Sequence, residues 1–167
     1  MQQSTDEQDG GALQLIPFEP GIDPDAFAAA LAPGFGGDEG PAREILAQTC
    51  ALLTRDPRPD PWGSYVVHLD DRPIGVAAFK SVPSREGKVE IAYMTFPAFE
   101  GNGHATTTIA ALVAIAEGAG ATPIAHTLPE KNASNKALRR NGFAYAGEVM
   151  DPEDGLVWCW EKRLRTQ

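Results

Sequence analysis

Apolar residues fall in short blocks along the chain, and the breaks between blocks are rich in glycine and proline. Leu13–Phe18 reads as a short first strand that Pro20-Gly21 ends. Asp23 or Asp25 can cap a helix through Ala26–Leu31. The next stretch, Ala32–Gly40, has five Gly or Pro residues and predicts a mobile surface loop. A second helix begins near Pro41, with Ile45, Leu46, Cys50 and Leu53 on one broad face, and the prolines at 57, 59 and 61 end it. Ser64–Leu69 and Arg72–Ser81 are β-rich runs joined by Asp70-Asp71, a hairpin, and Lys88–Thr95 is a third central strand. Gly103–Glu117 is apolar nearly all round, which predicts a deeply packed helix closed by Gly118 and Gly120. A strand over Thr122–Leu128, a helix over Ala133–Arg140, and strands over Phe143–Met150 and Leu156–Lys162 complete the chain.

The order is β-α-α-β-β-β-α-β-α-β-β. It predicts a single α/β domain over residues 12–165, with a mixed central sheet and helices on both faces. Residues 1–11 are polar and read as a flexible tail, with neither the basic nor the apolar region of a signal peptide. No apolar run approaches the ~20 residues of a membrane span. With Cys50 and Cys159 alone, a disulfide framework and a Cys-rich zinc site are excluded, and His68, His104 and His126 lie too far apart for a metal motif. A reducing cytoplasm is the expected compartment, and no metal is expected.

Charge is distributed unevenly. The chain carries −9 overall, but residues 1–60 account for −8, whereas 100–142 carry +1. That balance argues against nucleic acid and against a membrane surface. It suits one small anionic ligand, with acidic surface left for a cationic one.

The informative segment is a strand, a short loop and a helix: Glu90-Ile91-Ala92-Tyr93-Met94-Thr95-Phe96, Pro97-Ala98-Phe99, then Glu100-Gly101-Asn102-Gly103-His104-Ala105-Thr106. Small residues at 101, 103 and 105 let backbone approach a ligand. The unpaired N–H groups and the dipole of a helix start favour a pyrophosphate there. It is neither a phosphate-binding Walker loop, lacking Lys-Ser/Thr, nor a dinucleotide fingerprint, since Thr106 stands where a third Gly belongs.

About thirty residues on comes Leu128-Pro129-Glu130-Lys131-Asn132-Ala133-Ser134-Asn135-Lys136-Ala137-Leu138-Arg139-Arg140-Asn141-Gly142-Phe143. Together the two patches resemble the Gcn5-related N-acetyltransferase (GNAT) superfamily, in its RimJ/RimL-type branch. The first is similar to the acetyl-CoA pyrophosphate motif, the second to the Pro-Glu-Asn-x-x-Ser…Gly-Phe helix. The resemblance spans about Arg72 to Arg163. It implies that the backbone of Met94 and Phe96 pairs with the pantetheine arm. The N–H groups of Gly101, Asn102, Gly103, His104, Ala105 and Thr106 hold the pyrophosphate. Asn132 bonds the arm, Ser134 sits near the sulfur, and Lys136, Arg139 and Arg140 are candidates for the nucleotide phosphates. The chain departs from the pattern at Glu100, where Gln or Arg is usual, at Lys131-Asn132, and at Leu138, where many relatives carry a tyrosine acid.

The implied reaction is direct attack of a primary amine on acetyl-CoA. An ammonium must first lose a proton, which calls for a base, and the leaving thiolate needs a donor. Glu90 ranks first as base, with Glu153 or Asp154 second and His126 behind them. Ser134 is the donor, and the backbone N–H of a bulged strand near Met94 polarises the carbonyl. Tyr93 and Tyr145 read as sheet packing with the hydroxyl at the edge, or otherwise as cleft wall, and Phe35 as a residue that can close over substrate. The alternatives are a non-catalytic acyl-CoA sensor and an acyltransferase for a longer acyl-CoA. The acceptor is a small-molecule or peptide amine, and the fold permits a homodimer.

Overall fold

The computed structural model describes residues 11–19 and 21–163. The tail expected over 1–11 lies outside them except for Gly11, as do residues 164 and 165. Seven strands and four α-helices follow one another as the sequence pattern predicts: β1 (Leu13–Pro17), α1 (Pro24–Leu31), α2 (Gly40–Arg55), β2 (Ser64–Leu69), β3 (Arg72–Phe79), β4 (Lys88–Thr95), α3 (His104–Gly118), β5 (Thr122–Thr127), α4 (Ala133–Arg140), β6 (Phe143–Asp151) and β7 (Gly155–Lys162). They form one sheet in the order β1-β2-β3-β4-β5-β7-β6. Only β4 and β5 run parallel, because α3 crosses over between them; the hairpin-linked neighbours are antiparallel.

Helices cover both faces. On one, Ile109, Leu112, Val113 and Ala116 of α3 and Ala137 and Leu138 of α4 pack against Ile74, Phe79, Val89, Ile91 and Trp160. On the other, Phe27, Ala28 and Leu31 of α1 meet Ala42 and Leu46 of α2, Val66 of β2 and Phe96. Asp23 caps α1 by accepting from the Asp25 N–H (3.1 Å), and Pro24 opens the helix where its missing N–H costs nothing.

Two segments differ from the sequence reading. Ala32–Phe35 is not a mobile loop but a 3-10 turn with Ala32 and Gly34 buried. The half-buried Phe35 ring packs 4.7 Å from Phe96, against the core, rather than standing free as a flap. Along α2, only Ala42 and Leu46 are buried and Cys50 is exposed, so the expected face is narrower than its spacing suggests.

Candidate active site

The centre of the molecule is a strand that loses its partner. The β4–β5 ladder ends at Ile91↔Ala125, whereas the β3–β4 ladder runs on to Gly75↔Thr95. Beyond Ile91, one edge of β4 is therefore open. The direction of its backbone follows from two bonds: Lys80 N–H donates to the Glu90 carbonyl (2.9 Å), and Phe96 N–H to the Ile74 carbonyl (2.8 Å). Even-numbered residues turn their N–H and C=O toward β3, so Tyr93 and Thr95 turn theirs to the open edge. This corrects the assignment of Met94 and Phe96. Met94 faces β3 through its backbone, and both backbone groups of Phe96 are engaged, its carbonyl by the Phe99 N–H (2.9 Å). Nor is β4 bulged near Met94, for its register with β3 is unbroken.

Past a 3-10 turn over Pro97–Phe99, the chain enters α3 through Gly101 (φ 82°) and Gly103 (φ 78°). Side chains disfavour that left-handed region. A Cβ at either position would meet no protein atom within 4 Å, so the backbone here borders open space. The first N–H groups of α3 have no partner within the helix. Thr95, Gly101, Gly103, His104, Ala105 and Thr106 line one wall of a cavity of about 600 Å³, and Ala133, Ser134, Ala137 and Arg140 of α4 line the other. Donors, absent side chains and Arg140 together suit an anion. Exposed Glu100 borders the same cavity.

Several expected ligands stand elsewhere. Asn102 does not line the cavity, and its side chain closes the loop on itself, donating to the Phe99 and Glu100 carbonyls (both 3.3 Å). Asn132 is spent as the N-cap of α4, accepting from the Asn135 N–H (3.0 Å). Exposed Lys136 lies on the outer face of α4, and Arg139 stacks 5.2 Å from the Trp160 ring centre. Of the basic residues on α4, Arg140 is the one at the cavity.

A second cavity, of about 360 Å³, opens beside the first. Glu90, Lys80, His126 and Asp154 give it its polar lining. Glu90 Oε1 lies 3.5 Å from Lys80 Nζ and 3.2 Å from His126 Nδ1, and Asp151 Oδ2 is 3.7 Å from the same nitrogen. That imidazole nitrogen is buried without a well-aligned hydrogen bond. Asp151 in turn accepts from the N–H groups of Glu153 (2.8 Å) and Asp154 (3.0 Å), which hold its carboxyl below the usual carboxylate range. The structure thus brings Glu90, His126 and Asp154 together and leaves exposed Glu153 outside the lining.

Tyr93 and Ser134 border both cavities, and their hydroxyls are 2.5 Å apart. Burial pushes the Tyr93 phenol up, and the Ser134 hydrogen bond acts against it.

A family model described as "Acetyltransferase (GNAT) domain" matches residues 13–144. The chain belongs to the GNAT acetyltransferase family. A sequence search of curated proteins finds no match. Among solved structures, a RimL ribosomal L7/L12 alpha-N-protein acetyltransferase in complex with coenzyme A is similar at 17% identity and a TM-score of 0.66, over 90% of this chain and 93% of that one. The acetyl transferase that modifies the N-terminal serine of 50S subunit protein L7/L12 from Salmonella typhimurium is also 17% identical, with a TM-score of 0.66, over 92% and 95%. RimJ of Mycobacterium smegmatis, in complex with CoA-disulfide, reaches a TM-score of 0.67 at 17% identity, over 91% and 82%. At these identities the likeness is one of fold.

Within this GNAT chain, Leu138 is fully buried in the core and offers no hydroxyl. Sequence reasoning missed Thr95 as a cavity residue and gave Tyr93 a place in the cleft wall only as its second reading. Their signal was parity, for they share with Val89 and Ile91 the strand face turned toward α3 and α4. Among the described residues, no group of His, Cys, Asp and Glu could hold a metal, and no helix is long and apolar enough to cross a membrane.

Proposed function

We propose that this protein is an acetyl-CoA-dependent N-acetyltransferase that moves the acetyl group to a primary amine by direct attack in a ternary complex. The observation that carries this reading is the junction of two unlike cavities. One is an anion cradle lined by Gly101, Gly103 and Arg140, and the other is polar with carboxylates; they meet at Tyr93 and Ser134.

In this reading the N–H groups from Gly101 to Thr106 and the Arg140 guanidinium hold the pyrophosphate and nucleotide phosphates. The open backbone of Tyr93 and Thr95 pairs with the pantetheine arm. Acetyl-CoA supplies an activated acyl carbon at the junction. Glu90 accepts the proton of the incoming ammonium, directly or through water, and His126 and Lys80 hold its carboxylate in place. Ser134 donates to the departing sulfur. Glu90, Asp154 and Asp151 favour a cationic acceptor, and the RimL-type structures, described as acting on the N-terminus of a ribosomal protein, support a peptide N-terminus as its class. The location of Glu100 at the cradle favours weaker cofactor binding, and with the buried Leu138 in place of a tyrosine acid it supports a non-catalytic acyl-CoA sensor as the second reading.

Calorimetric titration with acetyl-CoA, repeated with Gly103→Glu, tests the cradle. Micromolar binding abolished by the substitution supports it, and a following screen of peptide and small amines separates enzyme from sensor. A folded wild type that binds no acetyl-CoA would overturn the proposal.

A further inference from the structure

Acyl transfer must occur where a ligand in the cradle can meet one in the carboxylate-lined cavity, and Tyr93 and Ser134 are the two residues that line both. Thr95 and Thr106 also carry hydroxyls into the cradle, but neither reaches the second cavity. The hydroxyls of Tyr93 and Ser134, one from β4 and one from the first turn of α4, lie 2.5 Å apart. We infer that Tyr93 acts through Ser134, as the acid that stands behind it and supplies the proton taken by the CoA sulfur. This rests on the acetyltransferase reading above.

In the step, a bond forms between the amine nitrogen and the acetyl carbon, and the carbon–sulfur bond breaks with its electron pair leaving on sulfur. The incoming ammonium gives one proton to the Glu90 carboxylate, which passes it to water, and the attacking nitrogen gives a second proton to the same carboxylate as the amide forms. The sulfur takes one from the Ser134 hydroxyl, which takes the phenolic proton of Tyr93. Water restores Tyr93 and discharges Glu90, so atoms and charge balance. Tyr93 is the better terminal donor because an aliphatic hydroxyl is a far weaker acid than a phenol. Burial also keeps Tyr93 protonated at neutral pH, so a donor is always present.

The test is Tyr93→Phe, which keeps the ring and removes the hydroxyl. Calorimetry with CoA and with desulfo-CoA between about pH 7 and about pH 9 reads the contact without turnover. Wild type should bind CoA several-fold more tightly as the pH rises, because the donor pair favours the thiolate. Desulfo-CoA subtracts the titration of other groups around the pair: Glu100, His104 and Arg140 on the cradle side, and Glu90, His126, Lys80 and Asp154 on the other. Tyr93→Phe should lose the CoA-specific rise and leave desulfo-CoA affinity unchanged. Its kcat should fall about 100-fold with the KM for acetyl-CoA unchanged.

Retention of both the rise and full kcat would overturn the inference. Equal weakening toward CoA and desulfo-CoA would reduce Tyr93 to packing and overturn it too. If Tyr93→Phe does not fold, Ser134→Ala takes the same two measurements, and loss of the rise there supports the pair. A wild type that shows the rise yet acetylates no amine would count against the acetyltransferase reading, while the coupling of the Tyr93–Ser134 pair to the sulfur would stand.

Discussion

Asn141 Nδ2 donates at once to the carbonyl of Thr106 in the first turn of α3 (3.0 Å) and to that of Ala137 in the last turn of α4 (2.9 Å). One amide thus ties the end of α4 to the helix start that forms the cradle. Thr106 and Ala137, the two residues it bonds, stand on opposite walls of the 600 Å³ cavity. Asn141→Ala should cost about 1–3 kcal/mol, since two partly buried carbonyls lose their donor. Chemical denaturation measures that loss. Acetyl-CoA affinity should fall beside it, because Thr106 and Arg140 no longer keep a fixed distance, and affinity equal to wild type would contradict this role.

Glu90 sits 3.2 Å from His126 and 3.5 Å from Lys80 on the floor of the second cavity. Glu90→Gln keeps the shape and removes the proton acceptor. Turnover at neutral pH should drop about 100-fold or more, the usual span for losing a general base. Acetyl-CoA binding should stay at the wild-type value, because Glu90 does not line the cradle. Steady-state kinetics alongside calorimetry separates the two effects. Unchanged turnover would leave Glu90 as an ion-pair partner of Lys80 and move the base to Asp154 or His126.

Gly34 shows how the face of α1 and α2 is closed. A Cβ built there would lie 2.6 Å from a ring carbon of Phe96, a ring already held against Phe35. Gly34→Ala should therefore destabilise the fold by about 1–3 kcal/mol, the usual cost of overpacking. A thermal melt at or above that of wild type would show that the Phe96 ring yields freely.

The element order and the two-glycine turn into α3 were legible in the sequence because both rest on local rules. Period-two and helical spacing placed the strands and helices, and Gly101 and Gly103 marked a turn that needs positive φ. What was not legible depends on contacts between distant segments. Gly and Pro at 32–40 read as loose chain, since nothing local says that Phe96 will seat against Gly34 and Phe35. Met94 and Phe96 were assigned to the open edge because backbone direction along β4 is fixed only by pairing with β3. Tyr93 read as packing because its partner, Ser134, lies 41 residues away across a helix and a strand.

The turn between β6 and β7 supplies a pH dependence whose direction follows from hydrogen bonding. Asp151 Oδ1 accepts from the N–H groups of Asp154 and Glu153, which favour the charged carboxylate, and Lys80 and His126 add smaller attraction. Its folded value is therefore below the unfolded one. Such a group stabilises fully above the unfolded carboxylate range of about 3.9, and the contribution is lost as the pH falls through the lower folded value. Asp151→Asn keeps an oxygen acceptor for both N–H groups but removes the charge. Melting temperatures of wild type and variant should differ most near neutral pH and converge on acidification below about pH 4. The same charge helps to fill the surroundings of His126, whose Nδ1 lies 3.7 Å from Asp151 and 3.2 Å from Glu90. Asp151→Asn should consequently raise the KM for a cationic amine while leaving that for acetyl-CoA alone, because Asp151 lies outside the cradle. A melting gap that widens as the pH falls would mean that the carboxylate is strained in the fold, the reverse of what its two N–H donors require.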